Sequence, residues 1–128
     1  MEEPTLPVEI PDDYVILAAE VFKLLSDPTR IRVVLALKHG ELSVNSLAEA
    51  ISRPATTVSQ HLAKLRMAHV VRARQEGTRV YYSLVDEHAR TLVDHALFQA
   101  EHAVEAFPPH HLRAGTAAAA SSGQEPTR

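Results

Sequence analysis

Residues 54–67 read PATTVSQHLAKLRM, and their spacing decides the fold. Val58, Leu62, Leu65 and Met67 recur at helical intervals, which predicts a helix with one apolar stripe. The other face carries Thr56, Thr57, Ser59, Gln60, His61 and Lys64, hydrogen-bonding groups that can reach base edges and phosphates. Most polar helix faces are merely solvated, so this one acquires meaning only from its neighbours.

Upstream, Ser43 can cap a short helix whose apolar face is Val44, Leu47, Ala48 and Ile51, and Arg53-Pro54 interrupts it before the next helix. Two helices separated by a tight turn result. Downstream the period changes. Val70, Val71 and Ala73, then Val80, Tyr81, Tyr82 and Leu84 beyond Glu76-Gly77-Thr78, favour strands and predict a hairpin with Gly77 at its turn. The hairpin offers Arg72, Arg74 and Arg79, long cations that can lie along a phosphate backbone and make binding fall with salt. A helix pair followed by a basic hairpin reads as a winged helix-turn-helix.

Further out, Asp27-Pro28 is a cap and first-turn pair for a helix carrying Ile31, Val34, Leu35 and Leu37, ended by His39-Gly40. Before it, Val15, Leu17, Val21, Phe22, Leu24 and Leu25 predict a first helix over Asp13 to Leu25. After the hairpin, Ala89, Leu92, Val93, Ala96, Leu97 and Ala100 predict a last helix over roughly Asp86 to Glu105, stopped by Pro108-Pro109. The expected fold is mainly α with a β-hairpin. Residues 1–11, with three prolines, read as a flexible arm; 12–112 as the working domain; and 113–128, an Ala, Ser and Gly tail, as disordered.

The 128 residues, 45% of them apolar, suit one core. The net charge of -3 is unevenly spread: between Arg53 and Arg79 stand six Lys or Arg against the single acid Glu76. A basic strip on an acidic body fits double-stranded DNA better than the total suggests. No apolar run approaches a bilayer span and the acidic N-terminus lacks a signal-peptide pattern, so the chain is expected in the cytoplasm, away from membranes.

Five of the eight histidines fall between His88 and His111, and there is no cysteine. Imidazole and carboxylate ligands suit Ni(II), Co(II) or Zn(II), while thiolate-based sensing of thiophilic ions is excluded. His39, at a helix end, and His69, before a strand, read as capping or surface residues, and His61 as facing DNA.

The strings Leu24-Leu25-Ser26-Asp27-Pro28-Thr29-Arg30, Leu42-Ser43-Val44-Asn45-Ser46-Leu47-Ala48 and Val58-Ser59-Gln60-His61-Leu62-Ala63-Lys64-Leu65 resemble the ArsR/SmtB family. The resemblance runs from about Val15 to Glu105. It implies a dimeric winged-helix repressor that leaves its operator when an ion binds. The family's cysteine site on the third helix has Ser43 in its place here. Its zinc site on the last helix is matched at Asp86, His88 and His102, but the third ligand position holds Gln99. The segments Glu87-His88, Ala100-Glu101-His102-Ala103 and Pro109-His110-His111 are more similar to nickel- and cobalt-sensing members. That resemblance implies His88, Glu101, His102, His110 and His111 as ligands, with Asp86, from the zinc-type match, as an alternative additional one. If His110 and His111 fold back, the donors approach the six that Ni or Co accept with N and O ligands, so octahedral coordination is expected.

At about 1.5 Å per residue, His88 and His102 stand roughly 21 Å apart on one helix and cannot share an ion. Antiparallel pairing of two last helices across a two-fold axis would bring His88 of one chain to Glu101 and His102 of the other, in a homodimer with two equivalent sites. His95, midway between them, is then expected near the axis facing its mate, as a packing or hydrogen-bonding residue or a pH-sensitive accessory group. The apo dimer is the expected repressor, and ion binding derepresses metal efflux, the family's usual outcome.

Three other functions define what must be tested. A metal-independent winged-helix regulator would use these histidines only to build its dimer. A metalloenzyme lacks support, since there is no His-Glu-x-x-His string, nucleophile motif or phosphate loop, and no small-molecule substrate is expected. A metal store would need neither the basic strip nor the polar helix face.

Overall fold

The computed structural model describes residues 9–106. Its elements are α1 (Asp12–Leu24), α2 (Pro28–Ala36), a 3-10 turn (Leu37–His39), β1 (Leu42–Ser43), α3 (Val44–Ile51), α4 (Ala55–Met67), β2 (Val71–Glu76), β3 (Arg79–Leu84) and α5 (His88–Ala106). The expected tail 113–128, most of the expected arm 1–11, and His110 and His111 lie outside the described residues. The chain divides into two compact units, the first ending at Val93 and the second beginning at Asp94 within α5.

Local chemistry sets the boundaries. Asp27 caps α2 by accepting the Arg30 backbone N–H at 3.0 Å, with Pro28 in the first turn where its missing N–H costs nothing. Ser43 caps α3 through the Ser46 N–H at 3.2 Å. α3 ends at Ser52, which adopts the left-handed conformation at φ 57 and ψ 50. The Arg53 N–H then returns to the Ala48 carbonyl and the Ser52 N–H to that of Glu49. α4 ends in the same way: His69 takes φ 62, its N–H bonds the Arg66 carbonyl, and that of Val70 bonds Leu65. These paired bonds satisfy carbonyls that a helix end leaves open. His69 is therefore a helix terminator, in line with the capping reading.

The first unit has one core. Val33 and Val34 of α2, Leu37, Leu47 and Ile51 of α3, Val58, Leu62 and Leu65 of α4, Val71 of β2 and Val93 of α5 are buried in it. Fully burying a side chain of this size contributes about 1.5–3 kcal/mol, so the α3–α4 pair is fixed mainly by Leu47, Leu62 and Leu65. Met67, expected on the apolar stripe, is instead 84% exposed; two residues beyond Leu65, it stands about 200° round the helix, on the opposite face.

The hairpin pairs Val71 with Leu84 through Glu76 with Arg79, and Gly77 supplies the left-handed φ of 63 at its turn. A strand that periodicity did not reveal, β1, adds to β3 with Leu42 opposite Tyr82 and Ser43 opposite Tyr81. The sheet order is β1-β3-β2, so the segment leading into α3 anchors the hairpin. This is a winged helix-turn-helix.

α1 behaves unlike the other helices. Tyr14, Val15, Ile16, Leu17, Val21 and Phe22 are all exposed, and the burial expected for its apolar face begins only at Leu24 and Leu25. In the second unit Leu97, Phe98 and Val104 of α5 are likewise exposed. No helix among the described residues is long and apolar enough to cross a membrane.

Candidate nucleic-acid interface and metal-ligating residues

The polar face of α4 forms because Val58, Leu62 and Leu65 are drawn inward, which turns Thr56, Ser59, Gln60 and Lys64 outward, all of them exposed. Thr57 and His61 are half-buried at its margin. The first turn of α4 follows Pro54 and has no side-chain cap, so its N–H groups remain available to a phosphate. Lys64 and Arg66 occupy the last turn, where cations suit the helix dipole.

His61 is committed within the protein. Its Nδ1 accepts the Arg30 Nε–H at 3.1 Å, and Arg30 also donates from Nη1 to the Leu24 carbonyl at 2.9 Å. Asp27 lies close enough for the His61 charge to act on it. Burial raises the Asp27 carboxyl, but the Arg30 backbone N–H, the His61 charge, the Thr29 N–H and the Arg30 guanidinium outweigh this and hold it below its ordinary value. Sequence reasoning missed Arg30 altogether, because its partner lies far along the chain.

The three hairpin arginines have different surroundings. Arg72 donates to the Val85 carbonyl at 2.7 Å. Arg74 is exposed but paired with two acids: Nε and Nη2 donate to the two oxygens of Glu41, Nη1 donates to Glu76 at 2.6 Å, and the guanidinium lies 4.9 Å from the Tyr81 ring centroid. Donating to Glu41 and Glu76 raises the Arg74 pKa further, and accepting from Arg74 lowers that of Glu41. Arg79, at the turn, is exposed. Arg74 thus holds the wing to the segment before α3, and nothing local in the sequence signals its pairing with Glu41.

The candidate ligands Asp86, His88, Glu101 and His102 are exposed, as is His95. Asp86 Oδ1 accepts the His88 backbone N–H at 2.9 Å, which starts α5. In the second unit the His95 ring meets Phe98 edge-on at 6.2 Å between centroids. No three His, Asp or Glu side chains among the described residues gather into a metal cage. Nor do the side chains of His88, Glu101 and His102 enter any hydrogen bond or ion pair there.

Residues 27–73 match the bacterial regulatory protein, arsR family. The chain is similar to the HTH-type transcriptional regulator KmtR of Mycobacterium tuberculosis, 53% identical over 109 residues, 85% of this chain and 84% of that protein. It is 37% identical to the HTH-type transcriptional repressor SmtB of Mycobacterium tuberculosis over 92 residues, 72% of this chain and 68% of that one. Among solved structures, the homodimeric winged helix-turn-helix DNA-binding domain Mb0332 of Mycobacterium bovis covers 80% of this chain and 97% of its own, with a TM-score of 0.65 and 28% identity.

Proposed function

The chain belongs to the ArsR/SmtB family of bacterial transcriptional regulators, and on that premise we propose that it represses its operator as an apo homodimer and lets go when Ni(II) or Co(II) binds. Members of the family act by binding DNA, so the chain is not an enzyme.

The observation that carries the metal reading is the state of the donors. His88, Glu101 and His102 are exposed with their side chains unengaged among the described residues, and no cage of three such donors forms among those residues. Imidazole and carboxylate donors in that condition fit a borderline divalent ion whose sphere is completed by a second protomer and by His110 and His111. The apolar side chains left uncovered on α1, and those on α5, favour such self-association. Asp86 is the weaker candidate, since one of its oxygens already serves the His88 N–H; this favours the nickel and cobalt arrangement over the Zn(II) alternative, which leans on Asp86.

Thr56, Thr57, Ser59, Gln60 and Lys64, with His61 at the margin, would address the major groove, and Arg72 and Arg79 the flanking phosphates. Arg74 supports the wing. His95 is assigned to the dimer axis. The ion, when bound, supplies bonds between protomers. Because a ligand shifts an equilibrium only by binding two conformations unequally, those bonds must favour a spacing of the two α4 helices that no longer matches successive grooves.

A Co(II) titration followed by visible absorption, with anisotropy of labelled DNA from upstream of the gene in the same cuvette, tests this. Weak bands saturating at one ion per subunit together with DNA release are expected. Intense bands with release point to a tetrahedral zinc-type site, and DNA binding indifferent to metal overturns the sensor reading.

A further inference from the structure

One guanidinium joins three elements of the first unit. Arg30 sits in the first turn of α2, where its backbone N–H is held by Asp27. From there Nη1 reaches the Leu24 carbonyl at the end of α1, and Nε reaches the His61 ring in the middle of α4. The recognition helix is therefore tied to α1 by directional bonds as well as by apolar packing. Apolar contacts tolerate small slides, whereas a hydrogen bond of this length tolerates little angular error.

The donor identity fixes a protonation state. An arginine Nε–H can only donate, so the His61 Nδ1 facing it must carry a lone pair, which leaves the proton on Nε2. A second proton on the ring would break this bond and set two cations side by side. We propose that His61 is a positioning residue for operator binding, and that the Arg30–His61 bond holds the recognition helix in place only while His61 is neutral, so that operator affinity falls as His61 protonates.

A groove at Arg30 is lined by Glu20 and Lys23 of α1, Asp27 at the start of α2 and Lys64 of α4. Asp27 interacts with His61 through charge, and only the neutral ring can accept from Arg30. With α1 offering an exposed apolar face, the bond also transmits the placement of α1 to the DNA-reading helix. That last step rests on the proposed dimer, and the operator readout rests on the proposed apo-repressor; the bond itself rests on neither.

The test uses the full chain with chelator present, so that the metal reading plays no part, and a labelled duplex from upstream of the gene. Affinity is measured from pH 8 to pH 5.5 for the wild type, His61→Asn, His61→Ala, Arg30→Lys and the Arg30→Lys/His61→Ala double variant. The amide oxygen of His61→Asn can take the place of Nδ1 and does not titrate. It is expected to restore most of the affinity lost in His61→Ala at pH 8 and to lack the wild type's acid loss. His61→Ala and Arg30→Lys are each expected to bind about tenfold more weakly, as for loss of one charge-assisted hydrogen bond, with the double variant no weaker than either. Additive losses, or an acid loss that survives in His61→Asn, would overturn the proposal. So would a protonated Nδ1 at pH 8 in the nitrogen spectrum of the free protein, a readout that needs no DNA. If the wild type fails to bind the duplex while Nδ1 is unprotonated, the apo-repressor reading falls and the positioning role falls with it.

Discussion

Asp86 Oδ1 accepts the backbone N–H of His88 at 2.9 Å, so two candidate ligands are linked through the start of a helix rather than through an ion. A capping carboxylate and a metal ligand respond differently to substitution. Asp86→Ala is expected to cost about 1 kcal/mol of stability, as for loss of a helix cap, while Co(II) still binds at one ion per subunit. Asp86→Asn should recover the stability. Thermal unfolding beside a Co(II) titration separates the two roles, and loss of Co(II) binding in Asp86→Asn would make Asp86 a ligand.

Whether the site spans two protomers can be settled by mixing variants. His88→Ala and His102→Ala should each bind no Co(II) at the proposed site. Co-refolded together, they form heterodimers in which one protomer supplies an intact His88 and the other an intact Glu101 and His102. One functional site per heterodimer is expected if ligands are shared between chains, and none if each chain binds alone.

His95 offers a geometric test. The chain has no cysteine, so His95→Cys introduces a single thiol. If the two copies face each other at the axis, oxidation should crosslink the dimer, since a disulfide needs Cα atoms within roughly 7 Å. A variant that stays monomeric on a non-reducing gel under mild oxidant places His95 away from the axis.

The wing arginines should differ in their salt dependence. Arg79→Ala is expected to reduce the slope of log affinity against log salt by about 0.9, one released counterion. Arg74→Ala should change the slope much less, because Glu41 and Glu76 already match its charge. Equal slope changes would make Arg74 a phosphate contact.

Acid stability follows from Asp27, whose carboxyl is held below its ordinary value of 3.8 in the folded chain. A carboxylate lowered on folding contributes fully above its unfolded value, and that contribution is lost as pH falls through the lower folded value. Wild type should be more stable than Asp27→Asn at pH 7, with the gap narrowing toward pH 3. Urea midpoints at the two pH values measure it, and a gap constant with pH would mean that charge plays no part.

Short-range patterns made much of the fold legible. Asp27-Pro28 and Ser43 mark helix starts, Gly77 marks the hairpin turn, and Val58, Leu62 and Leu65 define the buried face of α4, because caps, turns and helical periods depend only on nearby residues. β1 escaped notice, since two residues carry no period and their partners, Tyr81 and Tyr82, are remote in sequence. Met67 lies about 200° round the helix from Leu65, so the helical period itself turns it away from the core.

The helix-turn-helix and wing, the family, and the chemical kind of ligand a metal would meet follow from residue type and spacing alone. What those residues do to one another emerges only once the chain is folded. Folding paired Arg74 with Glu41 and Glu76, and bound His61 to Arg30 at the margin of the face where it was expected to meet DNA. It also left the apolar residues of α1 uncovered. These outcomes depend on directional bonds and burial between segments far apart in the chain, which no local pattern encodes.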